Sequence, residues 1–149
     1  MIVVLGYGNT LRGDDGVGIN IIKKLEKMNL PGHIKIINGG IRGIDILMNV
    51  GEFQKLIIID SFISDGKEGN LYRFTPPAFP EFEDKILSTH GPSWISFLKS
   101  KVESGVEGCW SNVVFYGIEI KNTIIGTELS PSISDKIPDY IYSIIKELQ

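Results

Sequence analysis

The stretch "IVVLGYGNTLRGDDGVGINIIKKLEKMN", Ile2–Asn29, decides the fold because three patterns follow one another in it. Ile2–Leu5 is continuously apolar and β-branched, the signature of a strand covered on both faces, as in a parallel sheet with helices above and below. A glycine-rich loop follows. From Val17 onward, Val17, Ile21, Ile22, Leu25 and Met28 recur at helical spacing, with the lysines and Glu26 turned outward. Strand, loop and helix in this order make the first half of a parallel βαβ unit.

The rest of the chain continues the alternation. "LIIID", Leu56–Asp60, is a second continuous apolar run, and His33–Asn38 and Val113–Ile120 read as further strands. Asn70–Thr75 alternates and fits an added or edge strand. Helices are expected over Gly43–Gly51, over Pro92–Val102 with Trp94, Ile95 and Leu98 inward, and over Pro131–Leu148, interrupted or restarted at Pro138. The expectation is a three-layer α-β-α sandwich around a mostly parallel twisted sheet, with residues 1–149 as one domain. Thr75–Ser93, rich in prolines and acids, reads as a long surface loop.

At 149 residues and 42% hydrophobic content, one domain with a sizeable core is what the chain can build. A formal charge of −3 provides no basic stripe, so nucleic acid and anionic membrane are not expected partners. Cys109 is the sole cysteine, which excludes an internal disulfide and a cysteine zinc cluster and suits a reducing compartment. No His accompanies it in "EGCWSN", so it reads as a small hydrophobe and not as a nucleophile. With no basic leader or long apolar stretch at the start, the expected location is cytoplasmic.

The loop "GNTLRGDDGVG", Gly8–Gly18, resembles a phosphate loop with the wrong charge. Leu11 stands where a dinucleotide fingerprint needs its third glycine, and Asp14 stands where a Walker loop needs lysine. Two carboxylates repel phosphate and favour a cation. Asp14, just ahead of the helix, is expected to cap it, which leaves Asp15, followed by the small Gly16, as the preferred ligand. Asp60 ends a strand, and ligands in open α/β sheets bind beyond the carboxyl ends of the strands, so Asp15 and Asp60 are expected to face one crevice. His90 in "STHGPSW" adds an imidazole; two carboxylates and one imidazole suit Zn, Ni, Mn or Fe with open positions. His33 reads as structural.

The pieces "VLGYGNTLRGDDGVG", "NGGIRGIDIL", "LIIIDS", "STHGPSWISFL", "VVFYGIEI" and "LSPSI" resemble the hydrogenase maturation endopeptidases, which trim the C-terminal tail of the large subunit of nickel-iron hydrogenases. The resemblance implies that Asp15, Asp60 and His90 form the nickel-contacting and catalytic site. It also implies that nickel arrives on the client subunit, that no organic cofactor is used, and that the partner is the large-subunit precursor. Asn38, Gly39 and Gly40 would form a substrate-facing loop, with Asn38 where the family commonly has Asp. Ile120 stands where Pro often follows "GIE". Two other readings compete: a magnesium-binding receiver module with Asp60 as phospho-acceptor, and a general metallohydrolase. The receiver's acids follow its first strand at once, whereas Asp14 lies eight residues beyond Gly6. H-E-x-x-H is absent, which excludes a zincin.

Overall fold

A computed structural model describes residues 1–85, 93–104 and 111–149. Among these residues five strands form one sheet: β1 (Ile2–Tyr7), β2 (Ile34–Gly40), β3 (Lys55–Phe62), β4 (Leu71–Phe74) and β5 (Val113–Glu119), in the order β2-β1-β3-β5-β4. The first four in that order are parallel and β4 is an antiparallel edge strand on β5. The parallel strands therefore share one carboxyl edge. The edge position of the alternating Leu71–Phe74 segment, and the continuous burial of Leu56–Ile59 in β3, agree with their sequence patterns.

Alternate residues of each strand feed two cores. On one face Val3, Leu5, Leu56, Ile58 and Phe115 pack with residues of α2 (Ile44–Met48), α3 (Phe79–Lys85) and α4 (Ser93–Glu103). On the other, Val4, Ile57, Ile59, Val114 and Tyr116 pack with α1 (Val17–Leu25), α5 (Pro131–Ser134) and α6 (Ile137–Glu147). Period-two alternation of apolar residues on both faces is what makes this a three-layer sandwich. Trp94, Ile95 and Leu98 of α4 are buried as their spacing predicts, and Pro138 starts α6 after a break.

Three expectations are corrected. Met28 lies beyond the end of α1 and is exposed, because the helix stops after Leu25 and the apolar face is completed by Ile21, Ile22 and Leu25. The stretch from Thr75 is not a continuous loop: Pro76 opens a 3-10 turn that runs into α3, and Phe79 and Phe82, three residues apart, bury completely beneath it. Asp60 does not end its strand either, since β3 pairs with β5 through Phe62.

The helix-to-strand contact that a dinucleotide fingerprint assigns to its third glycine falls here to Gly18. A side chain there would stand 2.4 Å from the Tyr7 carbonyl oxygen and 3.0 Å from that of Ile59. The missing Cβ lets the first turn of α1 rest directly on β1 and β3. This seats the loop before α1 over the carboxyl end of β3.

Candidate active site

Asp15 and Asp60 meet at that edge. Asp15 sits in a 3-10 turn (Gly13–Gly16) that leads into α1, and Asp60 stands near the end of β3. Both are half-buried and both line a cleft of about 160 Å³, closed by Tyr7, Gly8, Asn9, Gly40, Ile41, Gly43 and Trp94. The expected convergence of the two carboxylates is therefore found. The third member of the expected set, His90, lies outside the described residues, as does Cys109.

Each carboxylate is held at both oxygens. Asp15 Oδ2 accepts from the Asn9 backbone N–H at 2.9 Å, and its Oδ1 accepts from the Ser61 hydroxyl at 2.8 Å. Asp60 Oδ1 accepts from the Ser61 backbone N–H at 2.8 Å, and its Oδ2 accepts from the Trp94 indole N–H at 3.0 Å. Ser61 therefore gives one hydrogen to each acid. A carboxylate has about four acceptor positions, so two bonds each leave capacity for an approaching cation or proton donor.

Gly8 makes the loop possible. A Cβ there would lie 2.3 Å from the Asp15 carbonyl oxygen, and the residue has φ +150°, so only glycine lets the end of β1 run against the turn that carries Asp15. Asn9 can then reach back to Asp15 with its backbone N–H.

The electrostatics of the pair are asymmetric. Burial pushes the Asp60 carboxyl up to about 7; the Trp94 and Ser61 bonds oppose this, and the nearby Asp15 charge adds to it. Near neutral pH Asp60 is thus poised between its protonated and ionised forms, where an exposed aspartate would be ionised. A cation docking between the acids is the other way to relieve that charge. The Tyr7 phenol, whose hydroxyl donates to the Gly43 carbonyl at 2.5 Å, is pushed up by burial and by Asp60, so it stays a neutral wall. Its ring stacks on Trp94 with centroids 6.3 Å apart.

Asp14 has a different place. It is fully buried, and its two oxygens accept from the Ser130 backbone N–H and the Ser130 hydroxyl, both at 2.6 Å. It does not cap the helix that follows it, because the 3-10 turn has no side-chain cap and the carboxylate points instead to the residue just before α5. One of the two adjacent acids anchors the fold and the other faces the cleft.

Of the glycine loop after β2, Gly40 lines the cleft, Gly39 is buried behind Tyr7, and Asn38 Oδ1 accepts from the Gly40 N–H at 3.0 Å. Asn38 is exposed and shapes the loop from outside. Sequence reasoning had no role for Ser61, Tyr7 or the Trp94 indole N–H. A buried tryptophan generally needs a partner for that donor, which is the signal that was available. Among the described residues no three His, Cys, Asp or Glu groups gather, and no helix is long and apolar enough to cross a membrane.

A doubly covered, mostly parallel sheet with two acids in a cleft at its carboxyl edge makes a three-layer α/β sandwich whose candidate site lies at the strand ends. Residues 19–147 match the family HycI, hydrogenase maturation protease. A Methanocaldococcus jannaschii protein assigned as a hydrogenase maturation protease is 30% identical over 138 residues, covering 91% of this chain and 86% of its own. Two solved structures share the fold: the hydrogenase maturating endopeptidase HybD from Escherichia coli, with TM-score 0.84 at 23% identity over 99% of this chain and 91% of its own, and the [NiFe] hydrogenase maturation protease HybD from Thermococcus kodakarensis, with TM-score 0.79 at 22% identity over 99% of each. The chain belongs to the hydrogenase maturation proteases. It is an endopeptidase whose partner is a hydrogenase large-subunit precursor, and the receiver reading is not favoured.

Proposed function

We propose that this single-domain protein removes the C-terminal extension of a nickel-loaded nickel-iron hydrogenase large-subunit precursor in the cytoplasm, and that Asp15, Asp60 and His90 meet the client's nickel and the bond to be cut. The observation that supports this reading is the pairing of Asp15 and Asp60 through Ser61 in one cleft. His90 enters through the sequence resemblance. Nickel is cargo of the substrate in this reading, not a resident cofactor: two carboxylates and an imidazole form an open set, weaker for a divalent ion than a closed four-ligand site.

Asp15, fixed by Asn9 and Ser61, presents its remaining acceptor capacity to the client, while Asp60 can hold or release a proton at the same place. Nickel carried by the client would supply positive charge next to these two acids, and could act there by position or as a Lewis acid. Of Asn38, Gly39 and Gly40, the loop that would face the substrate chain, Gly40 lines the cleft, Asn38 braces it from outside and Gly39 packs behind Tyr7.

The test is processing of a purified precursor, nickel-free and nickel-loaded, followed by mass spectrometry of the tail. Cleavage of the loaded form only, lost in Asp15→Asn, Asp60→Asn and His90→Ala with the fold retained, is the expected result. Equal cleavage of both forms eliminates substrate-borne nickel, and full processing by the His90 variant removes that residue from the site.

A further inference from the structure

A second groove opens on the other side of Asp15. It has a volume of about 370 Å³ and is lined by Arg12, Phe62, Ile63, Ile120 and Thr123 together with Asp15 and Ser61 of the acid pair. Its walls follow β1, β3 and β5, so it lies on the same carboxyl edge as the first cleft. The two cavities differ in character. The first is walled by loop backbone, Tyr7 and Trp94, whereas the floor of the second is aliphatic and aromatic.

Two further observations bear on what the second groove takes. Arg12 is exposed, and its guanidinium makes no ion pair or hydrogen bond among the described residues. Beside it, Leu11, Ile124 and Ile125 are 62%, 76% and 80% exposed. They are held in one ledge, because Gly126 donates its N–H to the Leu11 carbonyl and Gly13 donates to the Gly126 carbonyl. Exposed aliphatic side chains gathered around a catalytic edge mark a surface that another chain covers.

A peptide bond presented at Asp15 belongs to a chain that must leave in both directions, advancing about 3.3 Å per residue when extended. One direction has the 160 Å³ cleft and the other has this groove. We propose that the client's C-terminal tail, beginning just beyond the bond to be cut, lies in the second groove, with an apolar side chain against Phe62, Ile63 and Ile120 and a carboxylate facing Arg12, under the Leu11–Ile125 ledge. This rests on the catalytic reading of Asp15 and Asp60, and adds a chemical preference to it: apolar and acidic, not basic.

The test compares affinities of the full chain for the nickel-loaded precursor and for the same client lacking its tail. Wild type should prefer the precursor by about tenfold or more. Thr123→Trp, which fills the groove, and Arg12→Glu, on an exposed residue that cannot unfold the core, should each bring that preference to within about twofold. Lysine or aspartate at the client's apolar position should do the same. Neutralising the tail's Asp and Glu side chains, or adding glycines beyond its last residue, tells a side-chain carboxylate from a terminal one. An unchanged preference in both variants overturns the groove. Asp15→Asn separates the two readings: if it cleaves normally the catalytic assignment fails, while the affinity comparison still judges the groove.

Discussion

The Ser61 hydroxyl donates to Asp15 Oδ1 at 2.8 Å while the backbone N–H of the same residue donates to Asp60, so one residue fixes the spacing of the acid pair. Ser61→Ala keeps the backbone bond and removes only the hydroxyl. Asp15 then keeps Asn9 but can turn about its remaining contact. Processing of the loaded precursor should slow by about 10- to 100-fold, the range found when a group orienting a ligand is removed. Thermal stability should change little, and a Ser61→Thr variant should recover part of the rate.

Trp94 does two jobs with one ring. Its face stacks on Tyr7, it makes an edge-to-face contact with Phe115 with centroids 4.7 Å apart, and Nε1 holds Asp60. Trp94→Phe retains most of the packing and deletes the donor. The variant should lose about 1–2 kcal/mol of stability from the shortened ring, and the Asp60 carboxyl should move further upward because a bond that lowered it is gone. Carboxyl titration by NMR reads the direction.

A pH effect is expected far from the cleft. Glu147 on α6 is held down at about 2, chiefly by its bond to Arg73 and also by Lys55 and Tyr116. A carboxyl depressed in the folded state stabilises above its unfolded value of about 4.5, and that contribution is lost as pH falls from about 4.5 towards 2. Arg73 is half-exposed, so salt screens the pair and the effect should amount to about 1 kcal/mol. Glu147→Gln should flatten the fall in melting temperature over that window.

How far the sequence carries depends on whether a residue's partner is near it in the chain. The continuous runs Ile2–Leu5 and Leu56–Ile59 read as doubly covered strands, and Asp15 and Asp60, acids after such runs, were therefore expected at one edge of a parallel sheet. The helix α3 was hidden because prolines and acids around Phe79 and Phe82 resemble a loop; its signal was Pro76 in the first turn followed by two aromatics three apart. Ser61 was visible only as the last letter of "LIIIDS". Which acid its hydroxyl reaches depends on the seating of α1 against β3, and that is set by Gly18 and not by any local pattern. Asp14 was assigned to its nearest helix although its partner, Ser130, lies 116 residues away.

Asp14 and Asp15 are adjacent and chemically identical, so their substitutions should separate stability from chemistry. Asp14 is fully shielded and binds both hydrogens of Ser130; Asn in its place offers one oxygen for two donors and turns an amide donor towards them. Hydrogen bonds to a charged group contribute about 1.5–3 kcal/mol each, so Asp14→Asn should cost about 2–4 kcal/mol, with the break felt where α5 begins. Asp15→Asn, half-buried and on the cleft, should leave the melting temperature within a few degrees and remove processing. Denaturant unfolding and tail cleavage on the same two preparations check this. If Asp14→Asn proves stable and inactive while Asp15→Asn proves active, the two acids exchange roles and the cleft is assigned to the wrong one.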